Sequence, residues 1–341
     1  MRSADGKRER PPTLETVAER AGVSRALVSL VLRNSPKPSE ASRQIVMKAV
    51  RELGYRPNTV ARRLAERRSH SVGVLLNDLR QPWFADMLDG LSLALHAGGM
   101  HMLLGDGRLD RMMDETLAWS FLDQGVDGVV LAGTIPVSRA ISEITGRIPT
   151  VAVGGLDLDL PRLDVLANDN LHGGELAVRH LVDLGHRRIA HVAGVPGRNG
   201  ELRRQAYEDT MRALGLSSEV LVDAADLTEE GGYAAGMRLL RRQIRPTAIF
   251  AANDLSCVGV LSAATELGIR VPAELSLVGF DNSNLARLRA LWLTTVDGSA
   301  YEMGRQAART LLARIEEPDA PATLQLMPSR LEVRGSTGPP G

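Results

Sequence analysis

The first apolar residues of the chain recur at intervals of three and four positions, which is the spacing of a helix with one buried face. Thr13 is placed to cap this helix, because a threonine hydroxyl accepts a hydrogen bond from a free N–H of the first turn. A turn centred on Gly22 follows, and Ser24 is placed to cap a second amphipathic helix. The two helices are predicted to bury Leu14, Val17, Ala18, Ala21, Leu27, Val28, Val31 and Leu32.

A third helix completes this N-terminal group. Ser39 caps it and Gly54 ends it, since glycine readily takes up the left-handed backbone that closes many helices. Two short helices joined by a glycine-containing turn are typical of a helix-turn-helix, whose second helix fits the major groove of DNA. The pattern therefore predicts a helix-turn-helix DNA-binding domain over residues 13–57. The inward face of its third helix is predicted to hold Ile45, Val46, Ala49, Val50 and Leu53.

Residues 58–69 are predicted to form a hinge helix or linker. Asn58 can cap a helix of only about two turns, with Val60, Ala61 and Leu64 on one face. So short a helix is marginal in water unless further contacts stabilise it, which suits a hinge that folds on DNA. The alternative is a solvated linker.

From residue 71 onward, short apolar strands alternate with helices. The strands are predicted at 72–76, 101–104, 128–132, 149–153, 188–193, 219–222, 248–251 and 275–280. The helices are predicted at 84–97, 110–123, 172–184, 201–214, 231–242 and 255–267. This alternation specifies parallel sheets with helices on both faces. Because the pattern forms two series, we expect a core over 70–341 of two doubly wound α/β lobes. Small ligands bind such sheets at the carboxyl ends of their strands.

Charge is segregated along the chain, although the chain as a whole is neutral. Residues 1–70 hold 16 Lys and Arg against 7 Asp and Glu, and the remaining residues hold 25 against 34. A basic module attached to an acidic body is typical of a protein whose first part binds nucleic acid. Residues 1–12 are polar and charged and end in two prolines, so we expect a disordered tail there.

Composition excludes several other classes of protein. Cys257 is the single cysteine, which rules out an internal disulfide and fits a reducing compartment. Neither a membrane-length apolar run nor a secretory signal is visible, so we expect a cytoplasmic protein, nucleoid-associated when bound to DNA. The sequence lacks nucleophile elbows, phosphate-binding loops, dinucleotide fingerprints and zinc-spaced His/Cys sets. We therefore expect no catalytic residues, no metal and no cofactor.

Several short motifs, in their order and spacing, resemble the lactose-repressor/galactose-repressor (LacI/GalR) family of bacterial transcription factors over residues 13–337. They lie in the helix-turn-helix, in the segment after it and at element ends of the core. They are Thr13-Leu14, Val17-Ala18, Ala21-Gly22-Val23-Ser24, Val28-Ser29, Gly54-Tyr55-Arg56-Pro57-Asn58 with Ala61 and Leu64, Leu181–Ala190, Ala252-Asn253-Asp254, Val278–Asn282, Leu293–Val296 and Val333–Thr337.

The resemblance implies a helix-turn-helix headpiece, a hinge helix and a core of two lobes like those of periplasmic sugar-binding proteins. The first lobe is expected at about 70–166 and 296–328, and the second at about 167–295 and 329–338. A homodimer is implied that binds a pseudo-palindromic operator in double-stranded DNA. A small effector in the cleft, by preference a sugar or sugar derivative, would control that binding. No heptad helix follows the core motifs, so a dimer is expected rather than a tetramer.

Arg25, at the start of the second helix, is the leading candidate for reading bases. Arginine pairs bidentately with guanine, although a phosphate contact is the alternative because most protein–DNA hydrogen bonds go to the backbone. Leu64 resembles the hinge leucine of the family, which enters the minor groove and kinks the DNA. Further contacts with DNA are predicted for Ser24, Ala26, Ser29 and Arg33 of the second helix and for Ala61 of the hinge. Contacts with the DNA backbone are predicted for Thr13, Asn34, Lys37, Ser39, Arg43, Tyr55 and Asn58.

In the core, the loop Gln81-Pro82-Trp83-Phe84 resembles the family loop whose aromatic residues, here Trp83 and Phe84, line the effector pocket. Arg203 and Asp281 match positions that hydrogen-bond the effector, and Asn253 lies beside them in the motif. Flat aromatic surfaces suit the C–H faces of a sugar, and bidentate Arg and Asp suit its paired hydroxyls. The alternatives are core packing for Trp83 and a strand-end turn cap for Asp281.

The chain departs from the family where the effector would bind. Gly154-Gly155 stands where many members have an aspartate, and Leu227 stands where some have a second stacking aromatic. These changes leave open a bulkier or less hydroxylated effector. A protein co-effector or a non-sugar ligand also stays open, as does a sugar-binding protein without a regulatory role. The basic headpiece opposes that last alternative, and the missing catalytic motifs oppose an enzyme fused to a DNA-binding domain.

Overall fold

The structure, a computed structural model, describes residues 12–32, 35–55, 68–158, 160–194 and 197–341. Contacts divide the chain into two compact units between Arg68 and Ser69. Three helices are described in the first unit: α1 Leu14–Ala21, α2 Arg25–Leu32 and α3 Glu40–Leu53.

The helix ends of the first unit follow the capping pattern of the sequence. Thr13 and Ser39 accept backbone hydrogen bonds at the starts of α1 and α3, and the Ser24 hydroxyl does so at the start of α2. Gly22 and Gly54 have φ values of 64° and 61°, the left-handed conformation that closes α1 and α3. The predicted helix-turn-helix is confirmed.

A small apolar core holds the three helices together. Ile45 was assigned to it by the helical spacing, and this prediction is wrong, because Ile45 is 49% exposed. Ile45 precedes Val46 by one residue and is therefore turned about 100° away from it around α3. The helices α1 and α2 cover α3 on the side of Val46, which is fully buried. The buried residues of this core are Val17, Ala18, Val28, Val31, Val46, Ala49 and Tyr55.

The second unit alternates strands and helices as the periodicity predicts. Its strands are β1 Ser71–Leu76, β2 His101–Asp106, β3 Gly128–Ala132, β4 Thr150–Val153, β5 Asp164–Asn168, β6 Ile189–Ala193, β7 Leu221–Ala224, β8 Ala248–Ala251, β9 Ser276–Phe280, β10 Thr294–Asp297, β11 Leu324–Met327 and β12 Arg330–Glu332. Its helices are α4 Trp83–Ala97, α5 Arg111–Gln124, α6 Arg139–Arg147, α7 Asn170–Asp183, α8 Arg198–Ala213, α9 Glu229–Leu240, α10 Asp254–Glu266 and α11 Ala300–Glu316.

These elements form two lobes, each built on a six-stranded sheet. The first sheet has the order β11-β5-β4-β3-β1-β2 and is parallel throughout. The second has the order β12-β10-β9-β8-β6-β7, with only β12 antiparallel to its neighbour. Helices α4 and α11 cover one face of the first sheet, and α5 and α6 cover the other. In the second lobe, α9 and α10 lie on one face, and α7 and α8 on the other. The predicted fold class, a helical headpiece and two doubly wound lobes, is confirmed.

The chain crosses between the lobes after β5, after β10 and between β11 and β12. Strand β5 runs to Asn168 and β10 to Asp297, past the crossings expected at 166/167 and 295/296. The strand expected at 219–222 is wrong by two residues, because Ser217–Glu219 forms a 3-10 turn and β7 begins at Leu221. Six of the described elements had no counterpart in the sequence pattern: α6, β5, β10, α11, β11 and β12.

Candidate functional site

The outer face of α2 carries the residues predicted to enter the major groove. Ser24, Arg25 and Ala26 are exposed, and Ser29 is half-buried beside them. Arg25, Ala26 and Ser29 line a shallow depression together with Leu30. One guanidinium nitrogen of Arg25 lies 3.9 Å from Glu15 Oε2, but both side chains are 68% exposed. So loose an ion pair costs little to break, and Arg25 can turn to another partner.

The remaining predicted DNA contacts fall into three groups. Thr13 and Ser39 already serve as helix caps, and the Arg43 guanidinium donates to Ser35 O. Lys37 is exposed, whereas Tyr55 is only 7% exposed and packs in the core of the three helices. Tyr55 thus has a structural role in addition to the DNA contact predicted for it. Arg33, Asn34, Asn58, Ala61 and Leu64 lie outside the described residues.

In the second unit, hydrogen bonds join the segments that follow the carboxyl ends of the two sheets, and this boundary between the lobes is called the cleft. Trp83, at the start of α4, contributes its indole ring from the first lobe. A Cβ atom at Gly154 would lie 2.6 Å from Cη2 of that ring, so the glycine allows the indole to lie on the backbone after β4. Phe84 is 3% exposed and meets Trp83 edge to face, with ring centroids 5.2 Å apart. Trp83 is therefore half-buried at the carboxyl end of β4 and packs against the core of the lobe, to which Phe84 belongs.

Arg203, on α8, is the buried cation of the second lobe. Its Nε donates to Asn170 Oδ1 at 2.8 Å, and its Nη1 donates to Ala252 O. Its Nη2 lies 3.5 Å from Asp281 Oδ1, and the guanidinium lies over the Phe280 ring at 3.6 Å from the centroid. Burial lowers the pKa of Arg203, and the neighbouring carboxylates oppose that shift. Arg203 and Asp281 therefore lie together in the second lobe, and their binding of an effector stays a prediction.

Asp281 is oriented by an unusual turn after β9. Asp281 and Asn282 have φ values of 105° and 49°, which few residues other than glycine adopt. Asp254 accepts from Ser283 N at 2.7 Å, from Ser283 Oγ at 2.8 Å and from Thr295 Oγ1 at 2.5 Å. These bonds hold the turn in place. Burial raises the pKa of Asp254 to about 6 and that of Asp281 to about 7, with Arg203 working against the latter shift.

Asn253 joins the two lobes. Its Oδ1 caps α10 by accepting from Ser256 N at 2.9 Å, and its Nδ2 donates to Gln81 Oε1 of the first lobe at 3.2 Å. Gln81 Nε2 in turn donates to Leu227 O at 3.1 Å. Asn253 is therefore both a structural cap and a part of the cleft.

Three further contacts cross between the lobes. Asn199 Nδ2 donates to Gly154 O, and Arg198 N donates to Asp157 Oδ1 at 2.8 Å. An ion pair joins Asp86 on α4 to Arg287 after β9. With Gln81 and Asn253, these contacts describe a closed arrangement of the two lobes.

Asn170 and Asn199 extend the site beyond the residues that the sequence predicted. Asn170 Nδ2 donates to Asn199 Oδ1 at 3.1 Å, while Asn170 Oδ1 accepts a hydrogen bond from Arg203 Nε. A chain of hydrogen bonds thus runs from Asp281 through Arg203, Asn170 and Asn199 to the first lobe. Their positions in the sequence could have indicated a site, because one polar residue follows β5, where the chain crosses between the lobes, and the other lies at the start of α8. Gln81 stood within the predicted aromatic loop, but nothing in the sequence paired it with Asn253.

Within the described residues, no group of His, Cys, Asp and Glu is arranged to hold a metal ion. None of the helices described is both long and apolar enough to cross a membrane.

Comparison with known proteins places both units. Residues 13–58 match the family model described as bacterial regulatory proteins of the lacI family. Residues 178–337 match a periplasmic binding protein-like domain. The chain is 35% identical to the HTH-type transcriptional regulator CelR of Thermobifida fusca, over 97% of this chain and 99% of that protein.

Solved structures agree with these matches. A transcriptional regulator CelR–cellobiose complex is similar with a TM-score of 0.72 and 33% identity, over 95% of this chain and 99% of that one. The lac repressor dimer bound to operator and the anti-inducer ONPF is similar with a TM-score of 0.83 and 26% identity, over 96% of this chain and 100% of that one.

Proposed function

Because this chain belongs to the LacI family of bacterial transcriptional regulators, we propose that it binds a pseudo-palindromic operator as a homodimer under the control of a small effector. The chain is a regulator with a ligand-binding core and not an enzyme. The main support for the proposal is the outer face of α2, where Arg25, Ala26 and Ser29 lie together on the surface of the basic first unit.

On DNA, Arg25 reads a guanine edge, with Ser24, Ala26 and Ser29 on the same face of α2. Lys37, Ser39, Arg43 and Thr13 position the headpiece on the phosphates. The hinge role of Leu64 and the contacts of Arg33, Asn34, Asn58 and Ala61 rest on the family resemblance alone.

Dimerisation is supported by an apolar surface on the first lobe. Large apolar side chains are exposed near the edge strand β2, on α4 and along α5. Exposed apolar side chains that form one patch usually mark an interaction surface. Self-association of this face gives the two-fold symmetry that a pseudo-palindrome requires. The exposed residues are Leu93, Leu104, Leu109, Met112, Met113 and Trp119.

The effector occupies the cleft between the lobes, where Trp83 offers an aromatic face and Arg203, Asp281 and Asn253 offer polar groups. An aromatic face beside paired polar groups suits a sugar. The similarity to a regulator solved with cellobiose supports the same class of ligand. The effector acts through its different affinities for the open and closed arrangements of the core.

Operator binding tests the first half of the proposal. The full chain is used to select bound fragments from genomic DNA, and affinity is then measured by fluorescence anisotropy at several salt concentrations. Arg25→Ala is expected to weaken binding to the selected operator by about 1–3 kcal/mol, because a bidentate base contact is lost. Steep salt dependence is expected for the wild type, since each neutralised phosphate releases counterions.

Arg20→Ala is the matched control, because it removes the same charge from the same unit while Arg20 pairs with Glu52 on α3. It is expected to lower affinity for all DNA sequences alike. Equal losses of sequence discrimination in the two variants would contradict a base-reading role for Arg25. Leu64→Ser is expected to weaken operator binding and to leave effector binding unchanged.

The effector is sought by thermal stability against neutral sugars, sugar phosphates and nucleosides. A ligand at about 100 times its Kd adds about 2.7 kcal/mol of stability. A hit that also changes operator affinity supports the proposal. If no compound raises the melting temperature and the core binds a protein instead, a protein co-effector is favoured.

A further inference from the structure

Three buried acceptor oxygens lie at the carboxyl edge of the first sheet without a hydrogen-bond partner among the described residues. They are Asn77 Oδ1 after β1, Asp157 Oδ2 after β4 and Asn168 Oδ1 at the end of β5. Buried acceptors in folded proteins are almost always satisfied, because stripping them of water is costly. Three orphaned acceptors at one edge therefore indicate a partner that brings hydrogen-bond donors.

Asp157 is the most informative of the three. Its Oδ1 accepts from Arg198 N of the second lobe at 2.8 Å, so the carboxylate lies where the two lobes meet. Its Oδ2 is buried and has no partner among the described residues. A hydroxyl or amine group of a ligand in the cleft would satisfy it.

Arg203, the buried cation of the cleft, is paired with Asp281, whereas the side chain of Arg198, whose backbone N–H meets Asp157, is exposed. Three of the five N–H donors of Arg203 are directed to Asn170 Oδ1, Ala252 O and Asp281. Asp157 and Asp281 therefore bring two carboxyl groups to the cleft against one internally paired guanidinium. An anionic ligand would meet repulsion from Asp157, and the charge of Arg203 is already balanced by Asp281.

We propose that Asp157 binds the effector directly and that the cleft selects neutral molecules rich in hydroxyl or amine donors over phosphorylated or carboxylated ones. This inference rests on the proposed function, because it concerns the effector of the same cleft. The donor groups of the ligand point to the first lobe and satisfy Asp157 Oδ2 and Asn77 Oδ1. The apolar face of the ligand lies on Trp83.

The ligand-free arm of the test compares Asp157→Asn with Asp114→Asn. The side chain introduced by Asp157→Asn keeps an acceptor for Arg198 N, and Oδ2 has no partner among the described residues to lose, so the melting temperature is expected to stay about the same. Asp114 on α5 is the matched control, because its Oδ1 is also buried without a described partner and burial raises its pKa to about 6. A fall of several degrees in Asp157→Asn alone would show a structural partner for Asp157 and overturn the proposal.

The ligand arm compares neutral sugars with their anionic derivatives: cellobiose with cellobionate, ribose with ribose 5-phosphate, and glucose with glucose 6-phosphate. Wild type is expected to prefer the neutral member of any pair that binds by about tenfold or more, the size of a lost charge-assisted hydrogen bond. Asp157→Asn is expected to lose about as much affinity for the neutral member, whereas Asp114→Asn keeps it.

Two results separate failure of this inference from failure of the proposed function. Tighter binding of an anionic member, lost on Arg198→Ala, would overturn the selectivity while leaving a cleft effector in place. If no compound binds, the small-molecule effector itself is in question. The ligand-free arm then still decides whether Asp157 Oδ2 has a partner within the protein.

Discussion

Gly154 shows how a single residue shapes the candidate cleft. It follows β4 with a φ of 73°, and its missing side chain leaves room for the Trp83 ring. The sequence marked this position only as a departure from the family pattern. Contact with Trp83 gives the departure a physical reason, because an indole ring and a side chain at position 154 cannot both occupy that space.

Gly154→Ala is predicted to destabilise the core for two reasons. The left-handed backbone alone costs an alanine about 1–2 kcal/mol, and the new methyl group also displaces Trp83, so the total loss is larger. Urea unfolding gives the stability, and tryptophan fluorescence reports the displaced ring. Gly125→Ala is the control, since Gly125 has a φ of 62° and nothing within 4 Å of a new Cβ. Equal destabilisation by the two substitutions, with unchanged fluorescence, would contradict the contact.

Among the site residues, sequence reasoning found Trp83, Arg203, Asn253 and Asp281, and the structure brings all four to the carboxyl ends of the sheets. Their effector-binding role stays a prediction. Asp157 was not found, because an aspartate in a loop is most often a solvated residue. Only the approach of the second lobe, which brings Arg198 N to its carboxylate, distinguishes it.

At the scale of elements, both lobes pack one pair of helices through glycines. In the first lobe, a Cβ at Gly90 of α4 or at Gly304 of α11 would collide with a carbonyl oxygen of the other helix. In the second lobe, Gly232 of α9 and Gly259 of α10 are in the same situation. The repetition indicates that each lobe depends on a close helix crossing over its sheet.

Gly304→Ala is predicted to destabilise the core by about 1–3 kcal/mol, because the two helices must separate to admit the methyl group. Gly146→Ala on α6 provides the comparison, since a Cβ there meets nothing within 4 Å. That substitution is expected to be neutral or to stabilise by about 0.5–1 kcal/mol through helix propensity. Chemical denaturation measures both, and equal effects would argue against the close crossing.

At the scale of the whole ligand-binding unit, closure of the lobes rests on a few polar contacts. Gln81 makes two of them, to Asn253 and to Leu227 O. Each such bond contributes only about 0.5–1.5 kcal/mol net. The balance between open and closed arrangements is therefore small enough for a ligand to shift.

Gln81→Ala is predicted to lower the ratio of closed to open molecules by about tenfold, because two hydrogen bonds between the lobes are lost. Energy transfer between dyes on Ser142→Cys and Ser218→Cys measures the ratio, since the native Cys257 is buried and does not label. Gln124→Ala is the control, because Gln124 bonds to Ser120 on its own helix. An unchanged ratio in Gln81→Ala would sink the prediction.

Local patterns in the sequence were sufficient to specify the helix-turn-helix, the two α/β series and most of their elements. Spacing, caps and turn glycines are local properties, and they act within a few residues of one another. The elements that were not predicted include the short strands β11 and β12 and also the long helix α11, whose Met303, Ala307 and Leu311 do recur at helical spacing. Ile45 was misassigned because helical spacing does not say which sides of a helix its neighbours cover.

The meeting of polar residues across the cleft, by contrast, follows from the packing of the two lobes. Gln81 and Asn253, or Asp157 and Arg198, are far apart in the chain and become partners only when the carboxyl ends of two sheets face each other. The same closure leaves Asp157 Oδ2 without a partner among the described residues. Burial and hydrogen-bond satisfaction depend on all neighbours in space, so no local pattern could have revealed that orphaned oxygen.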